Sequence, residues 1–269
     1  MVTPTAQPFL KWAGGKRKLA PEILKLFPPA KEIRRYYEPF LGGGALFFSL
    51  RPWRATLTDA NRELVTTWQA VQRFPHQVCE ALRLMRNTEE EYYRIRAQDP
   101  VDMKSWDVAA RMIYLNKTGF NGLYRVNQKG KFNNPFGRYK NPKICDAFNL
   151  FRVHEILQGV TLREADFEDT VKDATHEDAV YFDPPYVPLS STANFTQYTA
   201  SGFGPDDHRR LRDTAKALKK RGVRVVLSNA DTPEVRELYA DFQQVQVQAP
   251  RAIASKVGSR APVSELLMF

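Results

Sequence analysis

The sequence predicts an α/β fold: a doubly wound, mostly parallel sheet carrying an inserted, mainly helical domain. Three observations carry that expectation. Short apolar runs bounded by turn residues alternate with helical patterns in two parts of the chain, as parallel βαβ units require. Between those parts, residues 62–145 show helical spacing instead. Two carboxylates, Asp59 and Asp183, end strand-like runs, and the strand ends of such a sheet form its ligand-binding edge.

The elements follow in order. "RRYYEPF" (residues 34–40) reads as a strand, and "LGGG" turns it into the helical "ALFFSL". "RATLTD" (residues 54–59) is the second strand. "NRELVTTWQAVQRFPHQVCEALRLM", "EEEYYRIRAQ" and "DVAARMIYLNKTGF" have helical spacing and fill the insertion. "VTLREAD" ends a strand at Asp166, and "AVYFD" ends another at Asp183. "PDDHRRLRDTAKALKKRG" is a helix with Pro205 near its start and Gly222 as its stop, followed by the strand "VRVVLSN" (residues 223–229). The expected division is a catalytic domain of residues 1–61 and 146–269 and a target-recognition domain of residues 62–145.

Composition narrows the function classes. At 269 residues and 43% hydrophobic, the chain suits one large domain or a core with an insertion, and disorder is excluded. No apolar run approaches the roughly 20 residues of a membrane span. "MVTPTAQPFLKW" lacks the layout of a signal peptide, so the expected compartment is the cytoplasm. Cys79 and Cys145 fit no metal or redox spacing and are read as reduced thiols; no metal is expected.

The net charge of +10 points to a polyanionic partner, and its distribution sharpens that. Residues 111–143 contain no Asp or Glu, yet hold Arg111, Lys117, Arg125, Lys129, Lys131, Arg138, Lys140 and Lys143, interleaved with aromatic rings. Cations that meet phosphate, and Asn and Arg that read base edges, suit nucleic acid.

Gly42, Gly43 and Gly44 lie between a strand and a helix, where a ligand can approach backbone N–H groups. With Asp59 ending the next strand as a ribose acceptor, they imply an adenosyl ligand, either a nicotinamide cofactor or S-adenosylmethionine. "GGKRK" is not a phosphate-binding loop, because no Ser or Thr follows Lys16. In "VYFDPPY" the prolines end the strand and fix the backbone behind Asp183. The Asp183 carboxylate and the Pro184 carbonyl can accept both hydrogens of an exocyclic amine, and Tyr186 offers a face to a planar base. Neither cysteine sits where cytosine-C5 chemistry needs a thiolate, and no zinc deaminase signature is present. Methylation of another amine, or a DNA-binding regulator with a dead cofactor site, are the rival readings.

"FLKWAGGKRKL", "EPFLGGGALFF", "LNKTGFNGLYRVNQKGKFNNPFGRYKNP", "VYFDPPYVPLSSTANFTQY" and "SELL" resemble, in order and over nearly the whole chain, the Dam-type DNA adenine-N6 methyltransferases. The resemblance implies a Rossmann-like fold dependent on S-adenosylmethionine, and methyl transfer to adenine in duplex DNA at GATC, with base flipping and direct transfer by a protein acting as a monomer. It implies that Trp12, Lys16, Phe40, Gly42, Gly44, Asp59, Asp166, Phe167 and Asp183 hold the cofactor. Asp183, Pro184 and Tyr186 would hold the target adenine. Phe120 and Asn121 would enter the duplex, with Phe120 standing where the family more often has Tyr. Lys11, Leu123, Arg125, Pro135 and Tyr139 would read the site, and Arg138 would contact phosphate or serve structure. On this reading Asp183 touches only the flipped base and the cofactor.

Overall fold

Prolines and glycines set the ends of the elements. In the computed structural model, which describes residues 5–127, 129–186, 202–249 and 263–269, strand β1 (Tyr36–Glu38) is cut short by Pro39, which has no N–H to donate. It is three residues long, shorter than the run 34–40 that the sequence predicts. After the glycine turn come α2 (Ala45–Leu50) and β2 (Ala55–Asp59); a short helix, α1 (Ala20–Leu24), precedes β1. The chain then runs through α3 (Arg62–Arg73), α4 (Pro75–Arg83), α5 (Glu89–Arg96), α6 (Ser105–Thr118) and α7 (Ala147–Ile156) before β3 (Thr161–Glu164). Strand β3 stops two residues before Asp166, because that residue caps α8 (Phe167–Val171): its Oδ1 accepts from Glu168 N at 3.0 Å. The remaining elements are β4 (Ala179–Phe182), α9 (Pro205–Lys220), β5 (Arg224–Ala230), α10 (Pro233–Leu238), β6 (Gln244–Ala249) and β7 (Val263–Met268).

The seven strands lie in the order β3-β2-β1-β4-β5-β7-β6. The first five are parallel; β7 runs antiparallel to β5 and to β6. The chain builds outward from β1 to β3, crosses back to β4, and builds outward again. The strand order therefore reverses between β1 and β4, and their carboxyl ends flank the crevice where doubly wound sheets bind ligands. Both sheet faces are covered. Tyr36 and Tyr181 sit in one apolar cluster with Leu57 and Trp68, while Tyr37, Val180 and Phe182 join Leu211, Ala215 and Leu218 of α9 in the other. Burial on both faces explains why these strands read as continuous apolar runs.

The insertion is tied into that core. Helix α3 is capped by Asn61, whose Oδ1 accepts from Leu64 N at 3.0 Å, and it packs on β2, β3, α6 and α7. Arg111 of α6 is 2% exposed and pairs with Glu63 of α3 at 2.5 Å. This corrects the sequence reading, in which Arg111 belonged to the cations that face nucleic acid. The cysteines, distant in sequence, meet: Cys145 Sγ lies 3.9 Å from the Cys79 carbonyl, and both are free thiols. Among the described residues, no helix is long and apolar enough to cross a membrane, and no group of acidic, His or Cys side chains is placed to hold a metal.

Candidate active site and DNA-facing surface

A cleft of about 520 Å³ opens at the switch point. Trp12, Lys16, Phe40, Gly42, Gly44, Asp59, Asp166, Phe167, Asp183, Pro184 and Tyr186 all line it. One concavity thus unites the five sequence segments that supply the expected cofactor and target residues.

The glycine turn is shaped by two tryptophans. Gly42 and Gly44 have φ of 47° and 65°, a left-handed conformation that side chains disfavour. A Cβ at Gly42 would stand 2.7 Å from Trp12 Cδ1, and one at Gly44 would stand 2.7 Å from Trp68 Cη2. The glycines are demanded by these rings as well as by the cleft. Asp59 fastens the turn: Gly42 N donates to Oδ2 at 3.0 Å and Asn61 N to Oδ1 at 2.9 Å. Burial pushes the Asp59 carboxyl up to about 6, against the lowering effect of those N–H groups.

Asp183 is held more firmly than the sequence reading supposed. Its Oδ1 accepts from Lys16 Nζ at 2.9 Å and from Ser228 Oγ at 2.9 Å. It therefore touches more than a base and a cofactor, which corrects that expectation. Ser228 uses its one hydrogen on Asp183, so the buried Tyr181 hydroxyl, 2.8 Å away, donates to Ser228. Oδ2 of Asp183 has no hydrogen-bond partner among the described residues. The arrangement orients one oxygen and leaves the other to the cleft.

Lys16 is 4% exposed and central. Besides Asp183, its ammonium donates to the Gly14 carbonyl at 2.6 Å and lies 3.8 Å from Glu265 Oε2 and 4.7 Å from the Tyr186 ring centre. The Tyr186 hydroxyl donates to Glu265 at 2.6 Å. Burial raises the Glu265 carboxyl, opposed by the Lys16 charge and the Tyr186 hydrogen bond.

Several residues escaped the sequence reading. Glu38 lines the cleft, and its Oε2 accepts from Tyr36 at 2.9 Å and Phe47 N at 3.1 Å; burial pushes its carboxyl up to about 8. The signal was a carboxylate at the end of a strand just before a proline, as at Asp183. Phe203 packs against Phe40 and Phe167 at 5.6 and 6.1 Å, closing an aromatic wall beside Asp166. Asp166 itself pairs with Arg210 of α9 at 3.0 Å. Residues 187–198 of the motif that begins with "VYFDPPY" lie outside the described residues.

Among the described residues, none of the acid-free segment lines the cleft, although Tyr124 stacks on Trp12 at its wall. Phe120 is 51% exposed, and Asn121 beside it has φ 55°. Phe120 N donates to the Pro135 carbonyl at 2.9 Å, and Asn121 N to the Tyr139 hydroxyl at 3.0 Å. Lys11 lies 5.3 Å over the Tyr139 ring. Asn116, also missed, joins these parts: its amide accepts from Lys11 N at 2.8 Å and donates to the carbonyls of Lys11 and Gly122 at 2.7 and 2.8 Å. Leu123 and Arg125 precede a short hairpin bridged at Val126 and Phe132, and Arg125 is exposed. Arg138 pairs with Glu89 at 3.1 Å. Arg125, Lys129, Lys131 and Lys140 have no ion-pair partner among the described residues.

Comparison with known proteins gives this geometry a family. The profile described as D12 class N6 adenine-specific DNA methyltransferase matches residues 12–253. The chain is 43% identical to the type II methyltransferase M1.LlaDCHI of Lactococcus lactis subsp. cremoris, over 97% of this chain and 94% of that one. It is 39% identical to a DNA adenine methylase of Vibrio cholerae serotype O1, over 96% and 94%. It is 36% identical to that of Escherichia coli K12, over 96% and 93%. The matched span takes in both the cleft and the acid-free segment, and the chain belongs to the D12 class of N6 adenine-specific DNA methyltransferases.

Proposed function

We propose that the chain transfers a methyl group from S-adenosylmethionine to N6 of an adenine flipped out of duplex DNA, with GATC as its site. One observation carries the reading: Asp183 lines the same cleft as the glycine turn and Asp59, with one carboxylate oxygen anchored and the other without a hydrogen-bond partner among the described residues. The cleft volume of about 520 Å³ lies in the roughly 300–1,000 Å³ range of small-ligand sites. Its walls offer what an adenosyl group requires: the Asp59 carboxylate for ribose hydroxyls, and the Phe40 and Phe167 rings beside Asp166 for a base. When bound, S-adenosylmethionine supplies a methyl group already activated by its sulfonium.

The chain's part is positioning and electrostatics. Asp183 Oδ2 and the Pro184 carbonyl accept the two amine hydrogens of the target base, turning the nitrogen lone pair toward the methyl group. Lys16 and Ser228 hold the other Asp183 oxygen and stop the carboxylate rotating. Tyr186 stacks on the base, its ring fixed through the Glu265 hydrogen bond. Phe120 and Asn121 fill the space the flipped base leaves, at a flipping cost of a few kcal/mol. Arg125, with Lys11, Leu123, Pro135 and Tyr139, reads the flanking pairs. The domain division proposed with this mechanism keeps residues 62–145 as the recognition unit, with α3 as its anchor on the sheet.

The test is to methylate random-sequence duplex DNA with the purified protein and map every modified base. Modified adenines confined to GATC are expected. Modified adenines in another motif would reject GATC alone, and a requirement for a different methyl donor would reject the cofactor.

A further inference from the structure

Tyr124 lies between Leu123 and the exposed Arg125, and it is half-buried. Its ring stacks on the Trp12 indole, with centres 5.3 Å apart and planes 24° from parallel. Trp12 lies directly on the glycine turn: a Cβ at Gly42 would meet its ring at 2.7 Å, and one at Gly43 would meet its Cβ at 3.1 Å. The Tyr124 hydroxyl donates to Glu63 Oε2 at 3.2 Å, and Glu63 is locked from the other side by the buried Arg111. Glu63 stands in the first turn of α3, two residues after Asn61, whose N–H holds Asp59 as the Gly42 N–H does. Behind Tyr124, Phe132 of the hairpin packs edge-on at 5.6 Å. Ring and hydroxyl therefore reach the same Gly42–Asp59 loop by two routes, and both start in the reading segment.

We infer that Tyr124 is a positioning residue that acts through Trp12 to couple occupancy of the DNA-facing surface to occupancy of the cofactor cleft. The inference rests on the reading that the cleft takes S-adenosylmethionine and that the acid-free segment takes duplex DNA. The physical reason is packing. The column Phe132–Tyr124–Trp12–Gly42 is in contact at each step, so whatever orders the reading segment also restricts Trp12 and the turn beneath it. A second ligand then meets a loop whose ordering cost is already met. Linkage makes the effect reciprocal: the factor by which duplex tightens the cofactor equals the factor by which cofactor tightens the duplex.

The experiment measures the affinity of S-adenosylhomocysteine, an unreactive probe, with and without a GATC duplex, and the affinity of the duplex with and without the probe. In the wild-type protein each is expected to tighten the other by about tenfold, within the range typical of such coupling. In Tyr124→Leu the factor should fall to about one while each separate affinity stays within about threefold. Tyr124→Phe, which keeps the ring, should retain most of the factor. If Tyr124→Leu does not fold, Tyr124→Met supplies a ring-free variant of similar volume with the same expected loss. A factor unchanged in the ring-free variant overturns the inference, as does a separate affinity for the probe that falls as far as the coupling does. Wild type that binds both ligands with no coupling overturns the inference alone. Wild type that binds neither overturns the functional reading beneath it as well.

Discussion

The cleft and the reading surface treat charge in opposite ways. In the cleft, Lys16 meets Asp183 and Glu265, Asp59 meets two backbone N–H groups, and Glu38 meets Tyr36 and Phe47. On the surface, Arg125, Lys129, Lys131 and Lys140 face no acid among the described residues, and Phe120 stands half exposed. A charge taken out of water must be paired within the chain, because leaving it unmet costs several kcal/mol. A cation left in water carries no such demand, and a run of them without acids awaits a partner that is not part of the chain. The cleft pairs its own charges; on the proposed function, DNA is the partner of the surface.

The sharpest way to break that contrast is Asp183→Ala. It removes the target acceptor and strands the buried Lys16. Turnover is expected to fall by about 100- to 1,000-fold or more, the scale for loss of one preorganised electrostatic partner, while duplex binding persists. Turnover within tenfold of wild type would sink the role assigned to Asp183.

On the surface side, Arg125→Ala is expected to relax the choice of one outer base pair by about 5- to 150-fold, the worth of a bidentate guanine contact. Lys129→Ala should weaken all sequences alike and lower the salt slope by about one unit. Comparing kcat/KM on GATC duplexes and each single-pair variant at fixed salt separates the two. A uniform loss in Arg125→Ala would make Arg125 a backbone contact.

Within the cleft, Asp59→Ala should raise KM for S-adenosylmethionine about tenfold, with kcat less affected, because ribose bonds are made in ground and transition states alike. The Gly42 and Asn61 N–H groups also lose their acceptor, so Tm should drop. An unchanged KM with a collapsed kcat would refute this.

The smallest effect tests the burial of Glu38. Its folded carboxyl titrates near 8, above its ordinary value of 4.5. A raised pKa means the folded state binds the proton more tightly than the unfolded one. The stability this contributes is fully present below about pH 4.5 and is lost as pH rises to about 8. Glu38→Gln keeps an acceptor for Tyr36 and Phe47 but cannot ionise. Its Tm should exceed that of wild type by a margin that widens by at least about 2–4 °C between pH 5 and pH 8, the shift that about 1 kcal/mol makes in a chain this size. A margin independent of pH would show that Glu38 is not the titrating group.

Much of this was legible in the sequence. Local chemistry wrote the glycine turn, the end of β2 at Asp59 and the stop of β4 before Asp183, because proline and glycine act on their own neighbours, whereas β1 and β3 end two residues earlier than predicted. Strands β6 and β7 are not among the elements the sequence predicts, although "QVQVQA" alternates with a period of two. Long-range pairings were not legible. Nothing near Lys16 in the sequence announces that its partner is Asp183, and nothing in "VLSN" marks Ser228 as a donor to the same oxygen. Arg111 was misread for the same reason: its acid-free sequence neighbours hide Glu63, which lies 48 positions away.

Glu265 belongs to β7, whereas Lys16 precedes every strand of the sheet. In the order of synthesis the ammonium is made early and its second carboxylate late, after the whole insertion and five parallel strands have left the ribosome. Contacts of such long sequence separation form slowly, since their loop-closure entropy must be met before they reward it. A nascent or truncated chain that lacks β7 has no Glu265, so Tyr186 loses its hydrogen bond and Lys16 loses the second of its carboxylates. On the mechanism proposed above, methylation competence arrives with the closing strand.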